Sequence, residues 1–367
     1  MMNRFSAYLL AFSAVAMLLL AGSCNTKEPL QIEQGRIAVS ITSGRIATRA
    51  LSDDIADGSA IIVNNSGIPD LAIGIANSAG DLVASWPDDY WGALGTVFTS
   101  QCQTAQTDSS KSTIYFTGPG RGSYTVFAVA NTAGLDAATI TALKAAKTVG
   151  ALDSLLLSVA SGEPDFGATM PLTAKGSLTV NSWGNGQIDL NLLRPVAKIS
   201  FTFVNETGGS VDIHNCKVKF KDLNTSSGYL FEHTPDYLPG HTCDRDLTIN
   251  GSDPLVFTDN KSTLPIKTVF PSVAPERLVG SRYFCDVSFR VTKKAMVYDS
   301  GNAATYTEYS FTDLPIHDNR SKDIPYILRN QHLKIQTRIT KRTEEHDYSF
   351  NFEVQDWYEK VAYVTFD

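Results

Sequence analysis

Several features that mark common protein classes are scarce or missing in this 367-residue chain. Lysine and arginine form no basic block and the net charge is −7, so a duplex nucleic acid would meet repulsion rather than a binding stripe. After Leu20 no apolar run is long enough to cross a bilayer. We therefore expect no nucleic-acid partner, and any membrane attachment has to come from a lipid rather than a spanning helix.

Motifs of catalysis and metal binding are also absent. There is no HExxH, no GxSxG, no phosphate-binding Walker loop and no CxxC pair. The nearest metal set is two HxC pairs, His214 with Cys216 and His241 with Cys243, which could supply four zinc ligands. Cys216, however, alternates with apolar residues as a core position does. The sequence therefore predicts no enzyme, no metal and no cofactor.

Cysteine is rare for an exported protein. Beyond Cys24 the chain has only Cys102, Cys216, Cys243 and Cys285, far fewer than a disulfide scaffold needs, although an oxidising compartment permits a bridge. Cys216 and Cys285 both fall on the apolar side of strand patterns, which favours small buried hydrophobes. The sequence leaves open whether any of the four forms a disulfide.

The N-terminus has the pattern of a secretory signal. Arg4 precedes an apolar run from Tyr8 to Leu20, and small residues then lead to Cys24. Leu20-Ala-Gly-Ser-Cys24 resembles a bacterial lipobox, which implies that Cys24 becomes the lipidated N-terminus and carries several acyl chains such as palmitate. The alternative is ordinary signal cleavage beside a bystander cysteine. About 340 residues remain after residues 1–23, enough for two domains.

Strand periodicity dominates the rest of the chain, and turn residues separate the strands. Only one helix, from Asp136 to Thr148, is strongly predicted, with a shorter one from Leu152 to Val159. This pattern predicts an all-β fold of two β-sandwiches in tandem. The alternating segments lie at residues 37–41, 71–75, 124–130, 197–203, 216–220, 285–291, 333–339 and 348–354.

Four segments spread along the chain resemble the fimbrillins, the major subunits of type V pili in Bacteroidales. They are Gly122-Ser-Tyr-Thr-Val-Phe-Ala-Val-Ala-Asn131, Leu193-Arg-Pro-Val-Ala-Lys-Ile199, Ile327-Leu-Arg-Asn-Gln-His332 and Val354-Gln-Asp-Trp357. The lipobox adds to the resemblance. A tyrosine often follows the Arg-Asn pair in the family, whereas Gln331 and His332 stand here. The resemblance implies transthyretin-like sandwiches and a place in a cell-surface fimbrium on the outer membrane.

The resemblance also implies a mechanism of assembly. An arginine-specific protease removes the lipid and first strand, and the C-terminal segment of another subunit fills the opened groove. Here the first strand carries Ile37, Val39 and Ile41, and the better of two nearby cleavage sites is Arg49-Ala50 rather than Arg45. The donor strand would be the C-terminal segment with Val361, Tyr363, Val364 and Phe366.

These expectations divide the chain into four parts. Residues 1–23 are the signal peptide and 24–49 the tether with the removable strand, while 50–190 and 191–367 are the two sandwiches. The boundary between the sandwiches lies near Gly186 to Leu193, next to a turn, and the stretch from Tyr237 to Pro275 is expected to be extended loop with one or two short strands. The expected partners are other pilus subunits, the protease and, before maturation, the outer membrane. Adhesion ligands stay unspecified.

Two other roles compete with that of a polymerising subunit. The chain could be the tip or anchor component of such a pilus. It could also be a surface glycan-binding lipoprotein, because Trp86, Tyr90 and Trp91 form an aromatic cluster that, if exposed, would suit a sugar ring. A cluster at the end of a sandwich is more often core or cap.

Lipidation at Cys24 is testable by substitution. Cys24→Ser should remove the acceptor thiol, so the protein should lose metabolic lipid label and no longer sediment with membranes. Unchanged labelling of the variant would contradict the lipobox interpretation.

Overall fold

The structure is a computed structural model. It describes residues 35–43, 71–92, 94, 99–104, 111–158, 170–206, 212–238, 245–257, 259–274, 276–277, 280–292, 306–316, 324–341 and 348–355. Within these residues the fold is all-β with two short α-helices, so the predicted fold class is confirmed.

The part of the first half that the structure describes has nine strands and the helices. The strands are β1 (Arg36–Ser43), β2 (Leu71–Ala76), β3 (Leu82–Trp86), β4 (Thr99–Thr104), β5 (Lys111–Thr117), β6 (Gly122–Ala130), β7 (Leu156–Ser158), β8 (Leu172–Val180) and β9 (Gly186–Leu192). The helices are a 3₁₀ turn at Thr132–Gly134, α1 (Ala137–Ala145) and α2 (Val149–Asp153). Asp136 caps α1 by accepting a hydrogen bond from the Thr139 amide at 2.8 Å.

Fourteen strands occur in the described residues of the second half. They are β10 (Ala197–Asn205), β11 (Ile213–Leu223), β12 (Ser227–Tyr229), β13 (Arg245–Asn250), β14 (Lys261–Thr263), β15 (Lys267–Val269), β16 (Ser272–Val273), β17 (Glu276–Arg277), β18 (Gly280–Ser281), β19 (Phe284–Thr292), β20 (Tyr306–Pro315), β21 (Tyr326–Ile327), β22 (His332–Lys341) and β23 (Tyr348–Gln355).

Each half builds a sandwich of two sheets around its own core. In the first half the sheets have the orders β4-β5-β1-β9 and β3-β2-β6-β8. In the second half they are β13-β11-β19-β20 and β14-β10-β22-β23, with β15 also paired to β10. Alternate strand residues fill each core because the side chains of a strand point to opposite faces. All eight predicted strand segments are confirmed.

The two sandwiches repeat one topology. The order β3-β2-β6-β8 corresponds strand for strand to β13-β11-β19-β20, and in each opposite sheet the first strand of the half pairs in parallel with a late strand, β1 with β9 and β10 with β22. The sequence shows no short repeat, so this duplication appears only at the level of the fold.

A third apolar cluster joins the two halves. The outer face of β6 presents Phe127 and Val129 to Leu230, Phe231 and Phe270 of the second half, and the rings of Phe127 and Phe231 meet edge to face at 5.1 Å. A short sheet of β7 with β12 also crosses between the halves. This double coverage explains why β6 is apolar on both faces.

The Arg-Asn pair of the late motif, Arg329 and Asn330, holds the second-half side of this junction in place. Arg329 is buried, and its Nε donates to Asp236 Oδ1 at 2.7 Å while its Nη2 donates to the Phe231 carbonyl at 2.8 Å. Asn330 accepts a hydrogen bond from Arg194 Nη1 at 3.0 Å and donates its amide to the Val196 carbonyl at 2.8 Å. Two of the quoted motifs are therefore bonded to each other.

Three local predictions were wrong in detail. The second helix is α2, which ends at Asp153, and β7 follows where that helix was expected. The stretch from Tyr237 to Pro275, expected to hold one or two short strands, holds four, β13 to β16. Gly186–Leu192, where the sequence placed the domain boundary, is β9 of the first sandwich.

The buried ion pair of Arg329 yields a stability prediction. Arg329→Ala leaves Asp236 and the accepting carbonyls unpaired, so it should lower the free energy of unfolding by about 3–5 kcal/mol. Arg290→Ala is the matched control, since Arg290 and Glu308 form an exposed pair at 3.6 Å that should contribute at most about 1 kcal/mol. Urea unfolding followed by circular dichroism would measure both, and equal losses would contradict the structural role of Arg329.

Candidate functional site

The first strand of the described chain occupies a central position in its sheet. β1 pairs antiparallel with β5 over seven positions and parallel with β9 over seven. Both edges of β1 are therefore satisfied by main-chain hydrogen bonds. We call the position between β5 and β9 the β1 slot.

The side chains of β1 fill the core of the first sandwich. Ile37, Val39 and Ile41 are 0% exposed and pack in one cluster with Ile114 and Phe116 of β5. Burying each of them contributes roughly 1.5–3 kcal/mol. On the opposite face Ser40 Oγ lies 3.1 Å from Thr113 Oγ1. The strand at 37–41 is thus confirmed; its removal stays a prediction.

One end of the slot is closed by a tight convergence of turns. The Gly35 carbonyl accepts a hydrogen bond from the Gly118 amide at 2.9 Å, and a Cβ on Gly35 would lie 2.5 Å from the Gly184 Cα. The Arg36 amide donates to Asn185 Oδ1 at 3.2 Å, and its guanidinium lies 4.5 Å from the centre of the Tyr115 ring. Only glycine fits this approach of the chain to the β8–β9 turn.

β9 depends on β1 for its place in the sheet. Among the described residues the only ladder neighbour of β9 is β1. Just beyond β9, Leu193 exchanges two hydrogen bonds with Thr173, at 2.8 and 2.9 Å. The sequence did not predict β9, which forms one side of the slot, although Ile188, Leu190 and Leu192 alternate as strand residues do. The turn residues just before them led to the prediction of a domain boundary there.

The remaining predicted site residues lie outside the described residues. These are the lipidation residue Cys24, the processing residues Arg49 and Ala50, and the donor residues Val361, Tyr363, Val364 and Phe366.

The structure separates the residues of the possible zinc site. Asn215 has a φ of 52° and a bulge interrupts the pairing of β11 between His214 and Lys217, so His214 and Cys216 do not share a face. His214 Nδ1 lies 2.6 Å from Asp253 Oδ1, whereas Cys216 is in the core. No group of three or more potential metal ligands occurs in the described part of the chain. His241 and Cys243 lie outside it.

Burial also determines the protonation state of the two described cysteine thiols. Cys216 and Cys285 are free and buried, and desolvation raises the pKa of each to about 12. Both thiols are therefore protonated at neutral pH and act as core hydrophobes, as predicted from their alternation.

The aromatic cluster is packed into the first sandwich rather than displayed. Trp91 is fully buried, and Tyr90 meets it edge to face at a ring distance of 4.7 Å. Trp86 is half-buried against the sandwich core. The core interpretation of these residues is confirmed, and they form no open platform for a sugar.

No helix in the described part of the chain has the length and apolar character needed to span a membrane.

Comparison with known families agrees with this architecture. Residues 100–363 match the family of fimbrillin-A associated anchor proteins Mfa1 and Mfa2. The chain belongs to this family, and it is a pilus-related subunit or anchor that associates with other fimbrial subunits at the cell surface. The predicted kinship to fimbrillins is confirmed. No curated protein matches the sequence.

Solved structures similar to the chain come from species of Parabacteroides, Bacteroides and Porphyromonas. A candidate cell adhesion protein of Parabacteroides distasonis aligns with 12% identity and a TM-score of 0.48, over 89% of this chain and 98% of its own. A fimbrilin of Porphyromonas gingivalis W83 gives 12% and 0.46, over 89% and 98%. The fimbrial anchor protein Mfa2 of Porphyromonas gingivalis gives 11% and 0.37, over 88% and 97%.

Proposed function

We propose that this chain is a structural, non-catalytic subunit of a surface pilus, joined to its neighbour by strand exchange at the β1 slot. The observation that carries the proposal is the position of β1. It is the first described strand, it is hydrogen-bonded on both edges, and its inward side chains are fully buried. A polar, arginine-bearing segment follows it in sequence.

Hydrolysis of the Arg49–Ala50 peptide bond by an arginine-specific protease would detach β1 from the rest of the chain. Once β1 left, β5 and β9 would face each other across an apolar trough with unpaired N–H and C=O groups. Each such group costs roughly 1–3 kcal/mol when it is buried without a partner. An empty slot would therefore capture a strand of matching pattern.

The C-terminal segment of a second copy supplies such a pattern. Each face of Val361-Ala-Tyr-Val-Thr-Phe366 offers three residues at the two-residue spacing of Ile37, Val39 and Ile41. Its β-branched and aromatic residues favour a strand. Because β1 is parallel to β9 and antiparallel to β5, a donor in either direction would meet one parallel and one antiparallel neighbour. A donor that runs as β1 does would keep these relations, and the reverse direction would exchange them.

An anchor role is the second candidate, and the description of the matched family favours it. An anchor would keep both the lipid at Cys24 and β1, whereas a stalk subunit would lose both. The two roles therefore differ in the first residue of the protein recovered from the cell surface.

Blocking the cleavage site tests the stalk role. Arg49→Ala should retain the precursor at the membrane and abolish polymerisation, because β1 stays in the slot. Arg45→Ala is the matched control and should assemble far better. N-terminal sequencing of the surface protein gives the readout; a wild-type N-terminus before Arg45 would exclude the stalk role and support an anchor.

Deleting the C-terminal donor segment tests whether that segment fills the slot of another subunit. A chain lacking Val361–Asp367 should fold, be cleaved and accept a donor, yet fail to extend the filament as a donor itself. If the segment instead completes its own sandwich, the deletion should unfold or aggregate the second half. Filaments formed by the truncated protein after cleavage would rule the donor role out.

A further inference from the structure

The most exposed large apolar side chain among the described residues is Trp183, at 81%. It lies on the turn between β8 and β9, and this turn is rigid. Asn181 Oδ1 accepts hydrogen bonds from the amides of Trp183 at 2.9 Å and Asn185 at 3.0 Å, and the Gly184 amide donates to the Asn181 carbonyl at 3.0 Å. The indole is thus presented on a preformed support, which limits the entropy lost when it binds a surface.

The turn of Trp183 touches the point where the chain arrives from the lipid attachment site. Gly184 is packed against the backbone of Gly35, and the Pro119 carbonyl lies 3.5 Å from where a Gly184 Cβ would stand. Residues 25–34 connect Gly35 to Cys24. Even fully extended, this connection reaches no farther than about 40 Å. A lipid on Cys24 therefore keeps this end of the sandwich close to the bilayer.

The charges around Trp183 suit an anionic surface. Arg36 begins β1, and Arg121 is exposed on the turn between β5 and β6 that contacts the same convergence. Tryptophan favours the headgroup level of membranes, and arginine adds attraction to anionic headgroups.

We propose that the end of the first sandwich formed by Gly35, Pro119, Arg121 and Trp183 rests on the outer-membrane lipid surface while the chain is attached through Cys24, with the Trp183 indole at headgroup depth. This inference rests on the proposed lipid anchor. Tether length and the position of Gly35 favour lipid over a second copy of the chain as the occupant, because the lipid is held nearby by the covalent chain itself.

The docked orientation sets the direction of β1. The strand leaves the membrane-facing end at Arg36 and ends at Ser43, about 25 Å farther away at the rise of a β-strand. The chain towards Arg45 and Arg49 therefore starts from the end of the sandwich that faces away from the lipid. In this arrangement the lipid surface and the end of β1 that leads to the processing segment lie at opposite ends of the strand.

Lipid quenching of tryptophan emission tests the docking. The lipidated full-length chain is reconstituted in phosphatidylethanolamine and phosphatidylglycerol vesicles that carry a nitroxide on the headgroup. The wild type should lose part of its emission to this quencher, and Trp183→Phe should lose that lipid-dependent component. Trp183→Phe combined with Val256→Trp, which moves the reporter to a 70% exposed position in the second half, should not restore it.

The same samples separate failure of the docking from failure of the anchor. Flotation of the vesicles reports the anchor, with Cys24→Ser as the control that stays in solution. If the wild type floats but is quenched no more than Trp183→Phe, the docking is overturned and the anchor stands. If the wild type does not float, the anchor itself is refuted. If shielding of Trp183 appears only when further copies assemble, the occupant is a second copy and the lipid proposal fails.

Discussion

The first sandwich depends on β1, which is hydrogen-bonded along both edges and buries its inward side chains in the core. Without β1, β9 loses its described ladder partner, β5 keeps only β4 on its other edge, and three fully buried side chains leave the core. Among the described contacts, β9 would then keep apolar packing, the hydrogen bonds of the β8–β9 turn and the two hydrogen bonds between Leu193 and Thr173. A single eight-residue segment at the start of the chain thus controls whether one whole sheet is complete.

The second sandwich has a strand in the position equivalent to β1. β10 holds in the second sandwich the position that β1 holds in the first, antiparallel to β14 and β15 and parallel to β22. Yet β10 follows directly from β9 through Arg194 and Val196, which are bonded to Asn330. The strand in this position of the second sandwich is therefore held at its entry by the late Arg-Asn motif of the same sandwich.

The sequence predicted the strands because alternation is a local property, and it predicted the burial of Cys216 and Cys285 for the same reason. It could not place β9 correctly, since the partner that makes Gly186–Leu192 a strand lies at the other end of the half, in β1. The bulge at Asn215 was likewise invisible, because it depends on the register with β19 rather than on local pattern. The slot forms between strands that are far apart in sequence, so local patterns do not predict it. The strand that fills it, Ile37-Ala-Val-Ser-Ile41, has a local alternation that does predict a strand.

A strand joint between subunits is useful in a filament only if force entering at the slot passes to the rest of the subunit. Here the sheet opposite the slot carries β6, whose outer face packs on Phe231 and its neighbours from the second half. Arg329 then ties the carbonyls of residues 229–231 to the strand entry at β22, and β22 pairs with β23, the last described strand before the C-terminus. A continuous path of packed and hydrogen-bonded elements therefore links the slot to β23. In the proposed strand exchange, a donor strand in the slot would give β9 again the ladder partner that it loses with β1.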